Sequence, residues 1–400
     1  MTVRADGSAP IYVVWEITLR CDLSCGHCGS RAGKPRDREL TTDEALDVVR
    51  QLAEMGAREV TLIGGEAYLR DDWTTIARAI VARGMRCSMT TGGRGLTLER
   101  AREAKSAGMS AISVSLDGTR EAHDLQRGLR GSFDAALGAL DALATAGVTM
   151  DVDTQLNRVS LPHLDAIVEL LVERRVRGWQ VQLTVPMGRA AERPEWLLQP
   201  WELLDLYPRL AALAERAKSG GVSIWPANNI GYFGPYEAVI RGRGVETDLH
   251  WTGCPAGTRA MGIESDGTIK GCPSLPTDAW GGGTSRERTL RAIWDETREL
   301  RYTRDRTAAD LWGFCKDCYY ADECRAGCTW TTHVFFGRPG NNPYCHHRAI
   351  EHDLRGLRER LVKRKDAPGR PFDHGEFEIV VEPKDAPIPE PAKTRLPVVG

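Results

Sequence analysis

The sequence predicts an α/β chain: a partial, TIM-like (β/α)6 barrel followed by a smaller cysteine-rich domain. Strand-like and helix-like segments alternate six times between residues 11 and 230. The strand-like runs are β-branched and almost continuously apolar, as in a parallel sheet covered on both faces. The C-terminal half then changes character, with cysteines at positions 254, 272, 315, 318, 324, 328 and 345.

Strands are expected at 11–18, 59–63, 86–90, 111–116, 149–155 and 179–185. Helices are expected at 42–55, 73–83, 98–107, 133–146, 161–174 and 201–218. The first helix opens with a capping box, Thr41-Thr-Asp-Glu44. Right-handed crossovers would bring functional groups to the C-terminal ends of the strands. The expected organisation is an N-terminal segment (1–10), a barrel core (11–230), a cysteine-rich domain (231–360) and a proline-rich tail (361–400) in which only 377–381 is strand-like.

Four hundred residues with 42% apolar content are enough for one large core and a second domain. A formal charge of -2 gives no general attraction to nucleic acid. No apolar signal core or bilayer-length run is present, so a cytoplasmic protein without a membrane partner is expected. Eleven cysteines in such a chain point to thiolate–metal chemistry, because cytosolic thiols are kept reduced.

Cys21, Cys25 and Cys28 form a C-x3-C-x2-C run directly after the first strand. Three thiolates can hold three irons of a cubane cluster and leave the fourth open to a small molecule. A structural zinc knuckle would bring a second ligand pair at a matching distance. Downstream, the second strand runs into Gly64-Gly65-Glu66, two glycines that permit close approach of backbone to a ligand and a carboxylate suited to an ammonium group. Both motifs fall on the same rim of the expected barrel.

Together these segments resemble the radical S-adenosylmethionine (radical SAM) superfamily. The resemblance implies a SAM-binding [4Fe-4S] cluster on Cys21, Cys25 and Cys28, and a SAM amino group held by Gly64, Gly65 and Glu66. It also implies reductive cleavage of SAM to a 5′-deoxyadenosyl radical. By the same resemblance, Ser115 and Arg127 would contact the SAM carboxylate, with Arg127 on a loop after the fourth strand. Asn157 and the backbone of Leu183, near adenine, are further contacts it implies. His27 is expected to pack near the cluster, and Cys87 to be a small buried side chain.

The later cysteines run C-x12-G-x4-C, then C-x2-C-x5-C-x3-C, then Cys345, which resembles the SPASM domain of radical SAM enzymes. Seven thiolates fall one short of completing two four-iron clusters. The resemblance assigns Cys315, Cys318, Cys324 and Cys345 to an outer auxiliary cluster, and Cys254, Cys272 and Cys328 to an inner one. Three [4Fe-4S] clusters in total are therefore implied.

Proteins of this type commonly modify peptides, so the expected activity is that of a radical SAM oxidoreductase acting on a ribosomally made peptide. A flavodoxin or ferredoxin reductant is implied as a partner. Only ten residues precede the first strand, so a separate leader-recognition protein is an expected option. An anaerobic sulfatase-maturing enzyme is the first alternative. That family carries an aspartate directly after the G-x4-C cysteine, where Pro273 stands here. An iron–sulfur electron-transfer protein is the alternative of another class.

Overall fold

A computed structural model describes residues 8–241, 251 and 253–388. Its centre is a nine-stranded sheet in the order β7-β6-β5-β4-β3-β2-β1-β8-β9. The first seven strands are β1 (Tyr12–Thr18), β2 (Glu59–Gly64), β3 (Arg86–Thr91), β4 (Ala111–Ser115), β5 (Met150–Leu156), β6 (Gly178–Leu183) and β7 (Ser223–Pro226). Each is parallel to its neighbour. The helices between them are α1 (Thr42–Met55), α2 (Trp73–Ala82), α3 (Leu98–Ser106), α4 (Arg120–Arg127), α5 (Ser132–Ala146), α6 (Leu164–Glu173) and α7 (Leu203–Ser219).

Alternation along the strands explains the layering. On β5, Val152, Thr154 and Leu156 are buried, and on β6, Trp179, Val181 and Leu183. The apolar members join Leu164, Ile167 and Leu171 of α6 in the main core. The intervening Asp151, Asp153, Gln155, Gln180 and Gln182 line the opposite, helix-free face. This face is polar, and successive right-handed crossovers put their helices on one side of the sheet.

Several boundaries differ from the sequence expectation. The sixth strand ends at Leu183, and α6 starts only after a 3-10 turn, Leu161–His163, that holds Pro162 at a helix start. The helix α4 and the strand β7 were not expected at all. Neither carries a long apolar repeat: α4 is one short turn-pair that buries His123, Gln126 and Arg127, so its stability comes from tertiary contacts.

The cysteine-rich part adds to the same sheet. Strand β8 (Ala260–Ile263) pairs in parallel with β1, and β9 (Ile269–Lys270) pairs antiparallel with β8. At this junction lie four buried or largely buried charges. Arg36 bonds Glu16 at 3.0 Å and Glu264 at 3.2 Å, and Lys270 bonds Glu264 at 2.6 Å.

The expected tail (361–400) is partly a hairpin: the strand-like stretch 377–381 lies in a strand, and a second, unexpected strand precedes it. The strand β10 (Leu357–Lys365) forms an antiparallel hairpin with β11 (Glu376–Pro383). Alternating charge masked the first strand, because its cross-strand pairs, such as Arg358–Glu382, form only in the fold. No helix among the described residues is long and apolar enough to cross a membrane.

Candidate SAM and iron–sulfur site

The first cysteine triad leaves the C-terminal end of β1 as a loop tied down by backbone. Cys21 N–H donates to Gly33 O at 3.0 Å, and Gly26 N–H to Gln126 O at 2.8 Å. Arg189 clamps the loop from across the sheet, with Nε donating to Cys25 O at 2.7 Å. Gly26 is required because a Cβ there would stand 2.6 Å from the Trp196 ring. Cys25 is buried, and Cys21 and Cys28 are half-buried. Burial pushes the Cys21 thiol up to about 12 and Cys25 to about 11, so without metal both are protonated and iron binding must displace their protons. Three sulfurs on one loop are a soft donor set that fits an iron–sulfur cluster.

Gly64 and Gly65 also serve a close approach within the protein. A Cβ on Gly64 would lie 2.2 Å from Thr18 O, and one on Gly65 would lie 2.2 Å from Arg20 O. The glycines therefore let the end of β2 pass against the backbone of β1, and this sets Glu66 beside the cysteine loop. Cys21 Sγ, a carboxylate oxygen of Asp22 and one of Glu66 lie within 4.8 Å of one another. Glu66, 1% exposed, accepts from Thr91 Oγ1 and from Gly92 N–H, both at 2.6 Å. Burial raises its carboxyl to about 7. Asp22 Oδ1 is buried without a hydrogen-bond partner among the described residues. Two adjoining carboxylates with an orphan oxygen fit a cationic group such as the SAM ammonium.

Ser115 ends β4, buried and opposite Asp153. Arg127 is the last residue of α4 and not part of a loop; Gly128 follows in the left-handed conformation that closes the helix. Its Nη2 pairs with Asp117 at 2.6 Å, and its Nη1 faces Cys25 Sγ at 3.8 Å. His27 Nε2 meets the same Asp117 oxygen at 2.9 Å. Cys87 is fully buried in β3.

Two further expected contacts, Asn157 and Leu183, make hydrogen bonds within the protein. Asn157 is saturated internally: Nδ2 donates to Gln126 Oε1 and Thr184 Oγ1, and Oδ1 accepts from Val159 and Ser160 N–H. It caps a turn and has no hydrogen-bonding group left for a ligand. Leu183 is clasped by Asn229, whose Oδ1 accepts from Leu183 N–H at 3.2 Å and whose Nδ2 donates to Leu183 O at 2.8 Å. Its backbone is thus engaged within the protein.

The other cysteines gather as two groups. Cys315, Cys318, Cys324 and Cys345 line one small cavity with Phe233, Tyr320 and His347. Cys254 and Cys328 belong to one buried cluster with Tyr232 and Trp251, against which Cys272 packs, as do Cys324 and Cys345 of the first group. Tyr232 joins the groups: its hydroxyl accepts from Cys328 N–H at 3.2 Å, and its carbonyl faces Cys345 Sγ at 3.9 Å.

Sequence reading missed Asp22, Thr91, Asp117 and Arg189. Asp117 was visible in Val114-Ser-Leu-Asp-Gly118 as a carboxylate at a strand end, but its partners come from three distant segments.

Residues 15–192 match the model of the radical SAM superfamily, and residues 254–319 match that of an iron–sulfur cluster-binding domain, SPASM. The chain is 30% identical over 351 residues to an AdoMet-dependent heme synthase of Methanosarcina barkeri, covering 85% of this chain and 97% of that protein. It is 29% identical over 343 residues to the mycofactocin maturase MftC of Mycolicibacterium smegmatis, covering 84% and 83%. In fold it resembles Streptococcus suis SuiB bound to its precursor peptide SuiA, with a TM-score of 0.68, 15% identity, and coverage of 85% of this chain and 76% of that one. With a thiol triad, a carboxylate pair and an arginine on one rim, and a second cysteine-rich part on the same sheet, the chain belongs to the radical SAM superfamily and is an enzyme of its SPASM-bearing branch.

Proposed function

We propose that this enzyme is a peptide maturase: it removes hydrogen from a ribosomally made peptide and leaves a crosslink or an oxidised residue. The observation that supports this most directly is the polar face of β5 and β6 opposite their buried side chains. Gln155 and Gln182, whose side chains bond each other at 3.3 Å, keep amide donors and acceptors that an extended peptide backbone can use. The resemblance to mycofactocin maturases and to a peptide-bound SuiB supports the same substrate class.

In this reading Cys21, Cys25 and Cys28 hold a SAM-binding cluster, Glu66 with Gly64 and Gly65 forms the amino end of the SAM site, and Ser115 with Arg127 forms the carboxylate end. Bound there, SAM supplies hydrogen-atom abstraction from an unactivated carbon. Cys315, Cys318, Cys324 and Cys345 complete an outer [4Fe-4S] cluster, while Cys254, Cys272 and Cys328 hold an inner one whose fourth position a non-cysteine ligand or substrate fills. A flavodoxin or ferredoxin provides electrons, a separate protein or the barrel itself recognises the leader, and the cytoplasm keeps the thiols reduced.

A second reading has its own support: the heme synthase similarity spans 97% of that relative, so haem formation competes with peptide modification. The sulfatase-maturing alternative remains disfavoured by Pro273. Anaerobic incubation with SAM, a reductant and short peptides encoded beside the gene separates these. Loss of two hydrogens from a peptide, with release of 5′-deoxyadenosine, supports the maturase. Haem formation from an iron porphyrin precursor, with every peptide unchanged, overturns it.

A further inference from the structure

Asp117, 0% exposed, sits just past β4, and all of its polar atoms are engaged. Its Oδ2 accepts from Arg127 Nη2 at 2.6 Å and meets His27 Nε2 at 2.9 Å, while Oδ1 accepts from Gln155 N–H at 2.9 Å. Its own N–H donates to His123 Nδ1 at 3.2 Å, and its carbonyl accepts from Gln126 Nε2 at 2.7 Å. One residue thus ties the end of β4 to the cysteine loop, α4 and β5.

We infer that Asp117 is a positioning residue whose carboxylate fixes the Arg127 guanidinium between Cys25 and the carboxylate end of SAM, and couples it to the cysteine loop through His27. This rests on the reading that Arg127 receives the SAM carboxylate.

Three observations carry it. First, the guanidinium is already divided among partners: Nη2 is on Asp117 and Nη1 faces Cys25 Sγ at 3.8 Å, while Nε is buried with no hydrogen-bond partner among the described residues. A buried arginine held by one carboxylate with a donor unspent has both the rigidity and the vacancy to receive a second one. Second, Arg127 is 6% exposed, and a cation that deep needs a fixed counter-charge; Asp117 is its only ion-pair partner among the described residues. Burial opposes ionisation of Asp117, yet Arg127 and His27 hold it far below the usual carboxylate range, so the counter-charge is present at neutral pH. Third, His27 lies between Cys25 and Cys28 in sequence, so a shift of Asp117 is passed to the loop that bears the thiols.

The test is SAM affinity of reconstituted protein at matched iron content, by equilibrium dialysis with labelled SAM, for the wild type and for Arg127→Ala, Asp117→Asn and Asp117→Glu. Asp117→Asn removes the charge and one of two acceptor oxygens, and is expected to weaken SAM binding at least ~10-fold. Asp117→Glu keeps the charge but pushes the guanidinium outward, and is expected to weaken binding several-fold while retaining the fold. The electron paramagnetic resonance change that SAM causes in the reduced cluster is expected to shrink in both. A purely structural Asp117 would lower the unfolding temperature and leave SAM affinity of the folded protein intact. If Arg127→Ala weakens SAM but Asp117→Glu binds it as the wild type does, the positioning role is overturned and the arginine contact stands. If Arg127→Ala itself binds SAM normally, both are overturned.

Discussion

Arg31 Nε donates to Asp373 Oδ1 at 2.8 Å, joining the loop that follows Cys28 to the tip of the C-terminal hairpin. The contact is reinforced by backbone: Phe372 N–H donates to Gly29 O at 3.2 Å, and Gly188 N–H to Asp373 O at 2.8 Å. The Phe372 ring also lies 3.8 Å from Lys270 Nζ, so the hairpin tip touches both cysteine-bearing parts. Asp373→Ala is therefore expected to destabilise the protein by about 1–3 kcal/mol, since Gly369 and Arg370 N–H lose their acceptor as well. Thermal unfolding together with limited proteolysis checks this, with new cleavage expected at 366–375. Unchanged melting and protease resistance would show that the tip is not held.

Gly64→Ala is expected to cost stability even without any cluster or SAM, because the added methyl meets Thr18 O at 2.2 Å. Overpacking of this kind costs about 1–3 kcal/mol. The measurement is denaturant unfolding of cluster-free protein. A loss confined to the SAM-loaded form would instead mean that the glycine serves the ligand.

His333 gives the fold a pH dependence. Burial, with His374 adding to it, lowers its imidazole to about 4, and its Nδ1 accepts from Trp280 Nε1 at 3.3 Å in the neutral form. A depressed value means that the folded state favours neutral His333. The stabilisation is fully present above the ordinary value of 6.5 and is lost as pH falls toward 4, by about 3 kcal/mol in all. In His333→Gln this component of the slope between pH 6.5 and 4 should vanish. A wild-type slope in that variant would remove His333 as the source.

Iron content tests the cysteine groups separately. With three complete cubanes the protein holds about twelve irons, and Cys318→Ala with Cys324→Ala should reduce this to about eight. Replacing Cys21, Cys25 and Cys28 together should leave about eight and abolish SAM cleavage. Zinc at one or two equivalents with little iron would contradict the assignment.

Local signals were legible in the chain: the alternation of strands and helices in the parallel sheet, the Thr41 capping box, and cysteine spacings close enough in sequence to be read as ligand groups. The strands themselves are less continuously apolar than expected, since β5 and β6 alternate buried residues with Asp and Gln. The barrel-rim location of the triad followed too, since a parallel β/α repeat has only one rim where strands end. Short segments without an apolar repeat escaped, as α4 and β10 show. Their stability lies in pairs such as Arg127–Asp117 and Arg358–Glu382, whose members become neighbours only in the folded chain.

What the sequence determined by itself is the candidate donor atoms and the first six strands of the parallel sheet, because both depend on residue type and short-range period. What only the tertiary structure decided is which polar groups remain available. Asn157 and Leu183 look open to a ligand in sequence, yet in the fold Gln126, Thr184 and Asn229 are hydrogen-bonded to them. Asp22, an ordinary loop residue in sequence, is left with an orphan oxygen beside Glu66. A buried hydrogen bond is satisfied once, and the fold chooses the partner.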